Sequence, residues 1–389
     1  MKSGRAAVIV GVAEAPLTGS IISPARTVLQ IQAQTGAKAL AEAGLGWGDV
    51  DGLATTGAWG MSGVGQWPTL TLAEYLRISP EWTDSTALGG SSFELHLAHA
   101  AAAIERGECD VAVITYASTQ RSQRSRSLGG RPPELTAQYE TIWGLLSPVG
   151  SYALAARRHM HEFGTTLEHL ASVAVSAHQW AELTPGASTG AITLEQAMAS
   201  EAVSDPLRKI DCCLVTDGGG AVVLTTAERA RDLPATPVAV AGAGSVITHQ
   251  FISQMPNLAQ STAGESAGRA LARAGLSISD IDVVEVYDSF TISVLLALEA
   301  LGICGPGESG PFAASGALGP GGARPINTNG GGLAHSHPGM YGIFLLIEAV
   351  RQLRGEAGAR QLSRAETAIV NGTGGVLSSN GTVVLTHAR

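Results

Sequence analysis

A thirteen-residue segment occurs twice in this chain, at a constant offset of 231. Residues 39–51 read ALAEAGLGWGDVD and residues 270–282 read ALARAGLSISDID, identical at eight of the thirteen positions. Each copy ends an amphipathic helix on a glycine, Gly44 or Gly275, and turns into a strand. The following strands are DGLATT and VVEVYDSF. A second pair supports the first. The helix in SSFELHLAHAAAAIERGE stops at Arg106-Gly107 before the strand CDVAVITY, and GMYGIFLLIEAVRQLRGE stops at Arg354-Gly355 before ETAIVNG. Both halves also open on a strand of small and branched residues, AAVIVGVAEA and PVAVAGAGSVI. A strand-and-helix unit used twice implies layered α/β architecture with sheets covered by helices. The expected halves are 1–230 and 236–389, joined by the polar, proline-containing stretch ERARDLPATP. Residues of about 119–205 fit neither copy and read as an insertion, a loop domain laid over the active face.

With 45% apolar and only 15% charged residues in 389, the chain can bury a large core. A formal charge of −9 argues against general nucleic-acid binding. No apolar run reaches the roughly 20 residues of a membrane span. The opening apolar run is short and broken by Glu14 and Pro16, so it reads as a first strand rather than a signal peptide. Cys109, Cys212, Cys213 and Cys304 form neither a disulfide framework nor a zinc spacing, and read as structural thiols of a reducing cytoplasm. His335-x-His337 and His159-x-His161 lack the carboxylate or thiolate partners of a metal site, so no metal is expected. His96 and His99 read as helix-packing histidines. AVAGAGSV lacks the spacing and acidic partner of a dinucleotide site.

The segment Asn327-Thr-Asn329-Gly-Gly-Gly-Leu-Ala-His335-Ser-His337-Pro338 is similar to the NxNGGxxAxGHP motif of thiolases, and Cys213-Leu-Val-Thr-Asp217-Gly-Gly-Gly resembles the glycine turn after the thiolase loop domain. The motif order over the whole chain resembles the thiolase superfamily, most of all its lipid-transfer-protein branch. That resemblance implies a five-layered αβαβα fold of two duplicated halves with a loop-domain insertion, usually dimeric. The departures carry the chemistry. Where thiolases place a nucleophilic cysteine at a helix start, this chain has Gly89 in Ala-Leu-Gly89-Gly90-Ser91-Ser92, and Asn371 stands for the second cysteine. Thiolysis needs a thiolate nucleophile. Glycine cannot supply one, and Ser91 is a weak substitute without an adjacent base.

What remains is a set of helix starts, expected after Gly90, after Asp288-Ser289 and after Pro338. Their unpaired N–H groups and positive ends suit a thioester enolate. Gly89, Gly90 and Gly374 would let backbone approach that enolate. Such a site serves an aldolase, which needs an enolate hole and a proton-transfer group but no acyl-enzyme. Tyr287, ending VVEV, and His337, in the glycine-rich loop, fit the proton-transfer role. Histidine titrates near 6.5 and tyrosine near 10, which makes His337 the easier base. The chain resembles thiolase-like steroid side-chain aldolases, which share Gly-Gly-Ser-Ser and a YD-x-F motif, here Tyr287-Asp288-Ser289-Phe290. In that group a tyrosine is expected where this chain has His337. Asp288 is expected to cap the helix TISVLLALEAL or to orient the pair. Tyr341, one turn past His337, and Ser91 are candidate pocket walls, and Asn329 a support for the His337 loop.

Arg121, Arg124 and Arg126 form a solvated basic loop or a seat for coenzyme A phosphates. Coenzyme A enters only as part of the substrate, with no tightly bound cofactor. The resemblance also implies a homodimer and a small partner with a zinc ribbon and an OB-fold, together a heterotetramer. Two other functions stay open: a CoA-dependent acyltransferase or thiolase with an unusual nucleophile, and a non-catalytic acyl-CoA or lipid carrier.

Overall fold

The structure is a computed structural model and describes residues 5–57, 67–123, 137–145 and 148–388. Its strands are β1 (Ala7–Glu14), β2 (Gly52–Ala54), β3 (Trp82–Asp84), β4 (Val111–Ser118), β5 (Ala202–Ser204), β6 (Leu207–Arg208), β7 (Gly218–Thr226), β8 (Val238–Ile247), β9 (Val283–Val286), β10 (Thr367–Gly374) and β11 (Ser379–His387). Nine of them run in the order β3-β2-β4-β7-β1-β8-β11-β10-β9, and β5 pairs with β6 separately.

The repeat is visible in this order. From the edge inward, β2-β4-β7-β1 and β9-β10-β11-β8 are the same succession of elements, with β3 added outside the first. The pairings match as well. β2/β4 and β9/β10 are parallel, while β4/β7, β7/β1, β10/β11 and β11/β8 are antiparallel. The two half-sheets touch only where Val8 faces Ala239 and Ile9 faces Val238.

Between them lie the Ser92–Arg106 and Gly342–Leu353 helices, each packed on strands of both half-sheets. Their burial follows from composition. Ser92–Arg106 carries Phe93, Leu97, Ala100, Ala103 and Ile104 inward, and Gly342–Leu353 is buried along nearly its whole length. The Val28–Glu42 helix covers the outer face of the first half-sheet, and the Ala263–Ala274 helix that of the second. This gives five layers, αβαβα. The duplicated helices end alike, at Gly44 and Gly275, both left-handed with φ near +70° (71° and 69°).

The insertion carries two helices, Pro148–Phe163 and Leu167–Glu182, separated at Gly164 (φ +69°), with Thr166 capping the second. One expectation needs correction. The helix expected straight after Pro338 starts later, at Gly342, with Tyr341 as its N-cap. Tyr341 therefore reaches the site from a helix start rather than from a helical turn beyond His337.

Candidate active site

Strand β9 ends at Val286, and its continuation is fixed from both sides. Asn327 holds φ +48°, tolerable for asparagine, and its side-chain amide pairs with Val286, accepting from its N–H (2.8 Å) and donating to its carbonyl (2.8 Å). Tyr287 N–H donates to the Asn371 carbonyl of β10 at 2.9 Å. Tyr287 is thus aimed off the strand end toward the glycine-rich loop. Its phenol oxygen lies 2.9 Å from His337 Nε2 and accepts from Tyr341 N–H at 3.1 Å. The rings of Tyr287 and His337 meet edge to face at 5.7 Å.

The His337 loop is built by short-range hydrogen bonds. Asp288 accepts from Gly332 N–H (2.7 Å) and Leu333 N–H (3.1 Å), so it caps the Gly331–Ala334 turn. It does not cap the Thr291–Ala300 helix that follows it, where Ser293 Oγ accepts from the N–H of Phe290. The loop's unpaired N–H groups outcompete the nearer helix for this carboxylate because Asp288 is turned into the buried interior. Asn329 Oδ1 accepts from Gly331 N–H at 2.9 Å and from the Tyr341 hydroxyl at 3.1 Å. Thr216 clamps His337 itself, with Oγ1 accepting from His337 N–H (3.0 Å) and its own N–H donating to the His337 carbonyl (3.2 Å).

The third side is the start of the Ser92–Arg106 helix. Gly89 lies at φ +71°, packed against Gly374 and Gly375, and Gly90 presses on Tyr287. A Cβ at Gly90 would stand 2.1 Å from Tyr287 Cε2 and 2.5 Å from the Thr373 carbonyl oxygen; one at Gly374 would meet Leu88 O at 1.5 Å. Glycine is therefore required here for close packing, not only for a turn.

These elements meet at a cleft of about 300 Å³, lined among others by Gly89, Gly90, Gln120, Tyr152, Cys213, Tyr287, Phe290, His337, Met340 and Gly375. Of the expected wall residues, Tyr287, His337, Gly89 and Gly90 line it. Gly374, Asp288, Asn329 and Tyr341 stand behind the wall. Ser91 faces elsewhere: its hydroxyl lies 2.8 Å from Ser379 Oγ and donates to Leu88 O. Asn371 spends its amide N–H on Thr382 (2.8 Å) and does not line the cleft. Arg121 is exposed beside Gln120 at the cleft, and Arg124 and Arg126 lie outside the described residues. The sequence reading missed Tyr152, which stacks on Phe290 at 4.3 Å as a wall contributed by the insertion, and it missed Thr216 and Asn327. Thr216 and Asn327 sit inside the two motifs already singled out, which was the available signal. Tyr152 sits in a helix with no local mark of function.

Burial sets the electrostatics. It lowers the His337 imidazole to about 4, so the ring is neutral at physiological pH. It raises the Tyr287 phenol well above its usual range, with nearby Cys213, Tyr152 and Tyr116 adding to the rise. Asp288 is raised to about 6 by burial against the pull of Gly332 and Leu333 N–H groups. Cys213 lines the same cleft, a position the sequence reading did not give it. Its thiol is raised by burial and by Cys212 and Asp288 nearby, so it is held as a neutral thiol without a base beside it. Among the described residues no group of three His, Cys, Asp or Glu could hold a metal ion, and no helix is long and apolar enough to cross a membrane.

Residues 244–387 match the thiolase C-terminal domain-like family. The chain is 34% identical over 379 residues to the 17-hydroxy-3-oxo-4-pregnene-20-carboxyl-CoA lyase of Mycobacterium tuberculosis, covering 91% of this chain and 93% of that one. It is 40% identical to an acetyl-CoA acetyltransferase of Methanothermobacter thermautotrophicus over a shorter stretch, 61% of this chain and 63% of that protein. A solved structure described as an Ltp2-ChsH2(DUF35) aldolase superposes with a TM-score of 0.86 at 32% identity, over 99% of this chain and 98% of its own.

Proposed function

The chain belongs to the thiolase superfamily, in its lipid-transfer-protein branch, and from that membership we propose that it is a lyase cleaving a β-hydroxyacyl-CoA by retro-aldol chemistry. The observation that carries this reading is the buried Tyr287–His337 pair, 2.9 Å apart on the wall of a cleft whose two described thiols, Cys212 and Cys213, are both kept protonated by burial. The acyl-CoA is placed with its thioester oxygen toward the Gly89-Gly90 helix start. Neutral His337 accepts the β-hydroxyl proton. The Cα–Cβ bond breaks, Cβ becomes the carbonyl carbon of a ketone or aldehyde, and the electron pair spreads over Cα and the thioester oxygen. Tyr287 then gives its proton to Cα and is reprotonated from the imidazolium, so the pair returns to its neutral state. Tyr341 N–H, fixed on the phenol oxygen, stabilises the phenolate between these two transfers.

The apolar wall of Tyr152, Phe290 and Met340 suits a bulky hydrocarbon acyl group, and the lyase at 34% identity acts on a steroid carboxyl-CoA. A steroid side-chain thioester is therefore the first substrate to try. Arg121, exposed next to the cleft-lining Gln120, is proposed to meet coenzyme A phosphates. The halves 1–230 and 236–389 are proposed to form one cytoplasmic enzyme unit. Among the described residues β3 is the last strand at its edge of the sheet, and pairing there with a second copy is part of the proposal. The aldolase structure at TM-score 0.86 pairs its chain with a DUF35 protein, which favours a small zinc-ribbon and OB-fold partner here and a heterotetramer.

The test is to co-express the chain with such a partner and supply β-hydroxyacyl-CoAs, steroid thioesters included, without free coenzyme A. Release of a carbonyl product and a shortened acyl-CoA supports the lyase. Cys213 in the cleft and the 40% identity to an acetyltransferase favour one competing reading, acyl transfer. Cleavage only with free coenzyme A, together with an acyl adduct on Cys213 by intact mass, would establish that reading instead.

A further inference from the structure

Glu94 is the one acidic side chain in the first turn of the Ser92–Arg106 helix, the helix whose start faces the cleft. It is 1% exposed, and neither carboxyl oxygen has a hydrogen-bond partner. An ionised carboxylate so placed would lose its hydration with nothing in return. The space around it is shaped by glycines. A Cβ at Gly372 of β10 would lie 2.1 Å from Glu94 Oε2; one at Gly342 would lie 2.9 Å from both carboxyl oxygens and 2.2 Å from the Gly90 carbonyl oxygen. Carboxyl group and Gly90 carbonyl thus crowd the same point, where the two central helices begin.

We infer that Glu94 is kept as a neutral carboxylic acid, whose O–H donates to the backbone carbonyl at the Gly90–Gly342 joint and holds Gly90 against Tyr287. It is a positioning residue. Its neutrality also keeps negative charge away from a helix start that must face an enolate; that consequence for turnover rests on the lyase reading, whereas the protonation state does not.

Among the described residues Arg269, Arg273 and His99 line a cavity with Glu94, but each spends its charge elsewhere and none pairs with the carboxyl. Strands β10 and β11 present Gly372 and Gly381, and the Gly342–Leu353 helix presents Gly342. On its own helix His96 turns to the Thr86 carbonyl and His99 to Asp84. Arg269 and Arg273 of the Ala263–Ala274 helix bind the carbonyls of Ser245 and Ala243 in β8. From β4, Tyr116 gives its hydroxyl to Pro338. Burial accordingly raises Glu94 to about 8, opposed only by its own backbone N–H.

The sign follows. Between about 4.5 and about 8 the unfolded chain loses this proton and the folded chain keeps it, so wild type loses stability as pH rises through that window. Glu94→Gln, a neutral donor of the same shape, removes the effect. The experiment is thermal unfolding of wild type, E94Q and E94M without substrate, together with the infrared carbonyl band of a protonated carboxyl at neutral pH. The expected result is a stability gap that widens in favour of E94Q across the window and then levels off, and a band present in wild type but absent from either variant. A gap independent of pH, a missing band, or an E94Q that fails to fold while E94M folds would overturn the inference. Turnover is read separately: E94Q should keep it and E94M should lower it at least tenfold.

Discussion

Tyr287 and His337 hold each other in a state that neither would adopt alone in water. The phenol donates or accepts at 2.9 Å from Nε2, and burial keeps both groups uncharged. Removing the phenol oxygen deletes the proposed proton donor while leaving the ring to fill its place. Tyr287→Phe should therefore lower kcat by about 10²–10⁴, the usual worth of a placed acid or base, with little change in KM; steady-state kinetics and an unchanged melting curve check it. The same burial moves the acid limb of activity. His337 must be neutral to accept a proton, and it stays neutral down to about 4. The kcat profile should fall with an apparent pKa near 4 rather than 6.5. Stability follows the same group: between about 4 and 6.5 the unfolded chain binds a proton that the folded chain does not, so the fold gains stability as pH rises through that window. His337→Gln should reduce that rise in a pH series of melting curves, leaving the share of His96, which burial also lowers to about 4. These two residues were legible in the sequence because they stand in motifs and carry titratable groups. Thr216 and Asn327 were less so. They act through backbone hydrogen bonds across 121 and 41 residues of chain, and no local pattern encodes such a distance.

At the scale of elements, the duplicated helices and strands were readable because each copy repeats period, glycine stop and following strand. Their contacts were not. Asp288 stood before a helix and looked like its cap, yet it serves a loop more than 40 residues away, because burial brings the Gly332 and Leu333 N–H groups to it. The start of the Gly342–Leu353 helix was misplaced by three residues, since Pro338 marks a loop exit and not a first helical turn. Glycine position shows the same limit. Gly90 and Gly268 look alike in a sequence, one flanked by Gly-Ser and the other within an Ala-rich helix. A Cβ at Gly90 collides with Tyr287 and Thr373, whereas one at Gly268 meets nothing within 4 Å. Gly90→Ala should cost about 1–3 kcal/mol through overpacking and displace Tyr287, cutting kcat far more than stability alone explains. Gly268→Ala should stabilise the Ala263–Ala274 helix by about 1 kcal/mol and leave kcat unchanged. Chemical denaturation and activity measured on the same two variants separate the effects.

At the scale of the whole molecule, the two copies are not beads on a string. The half-sheets share only two residue pairs, Val8 with Ala239 and Ile9 with Val238. What joins them is the middle layer. The Ser92–Arg106 helix belongs to the first copy but packs on β8, β10 and β11 of the second, and Gly342–Leu353 belongs to the second but packs on β1 and β7 of the first. A partly buried ion pair crosses the same seam. Arg354, its side chain 1% exposed, binds Glu42 from the other copy, and Arg351 binds the same carboxylate at 2.6 Å. Tyr287 and His337 come from the second copy, whereas the Gly89-Gly90 helix start comes from the first, so the cleft exists only when both are present. Each half expressed alone would expose an apolar sheet face and one central helix to water, and neither buries enough to offset its own chain entropy. Residues 1–230 and 236–389 produced separately should therefore show no cooperative unfolding transition. Produced together, they should recover one transition and bind each other with the active cleft restored. Glu42→Ala in the intact chain should cost about 1–3 kcal/mol, because Arg354 keeps the Thr236 carbonyl but loses its counter-charge, while Arg354→Met should cost less because no charge is stranded. If instead either half melted cooperatively by itself, the middle layer would not be the element that makes the two copies one molecule.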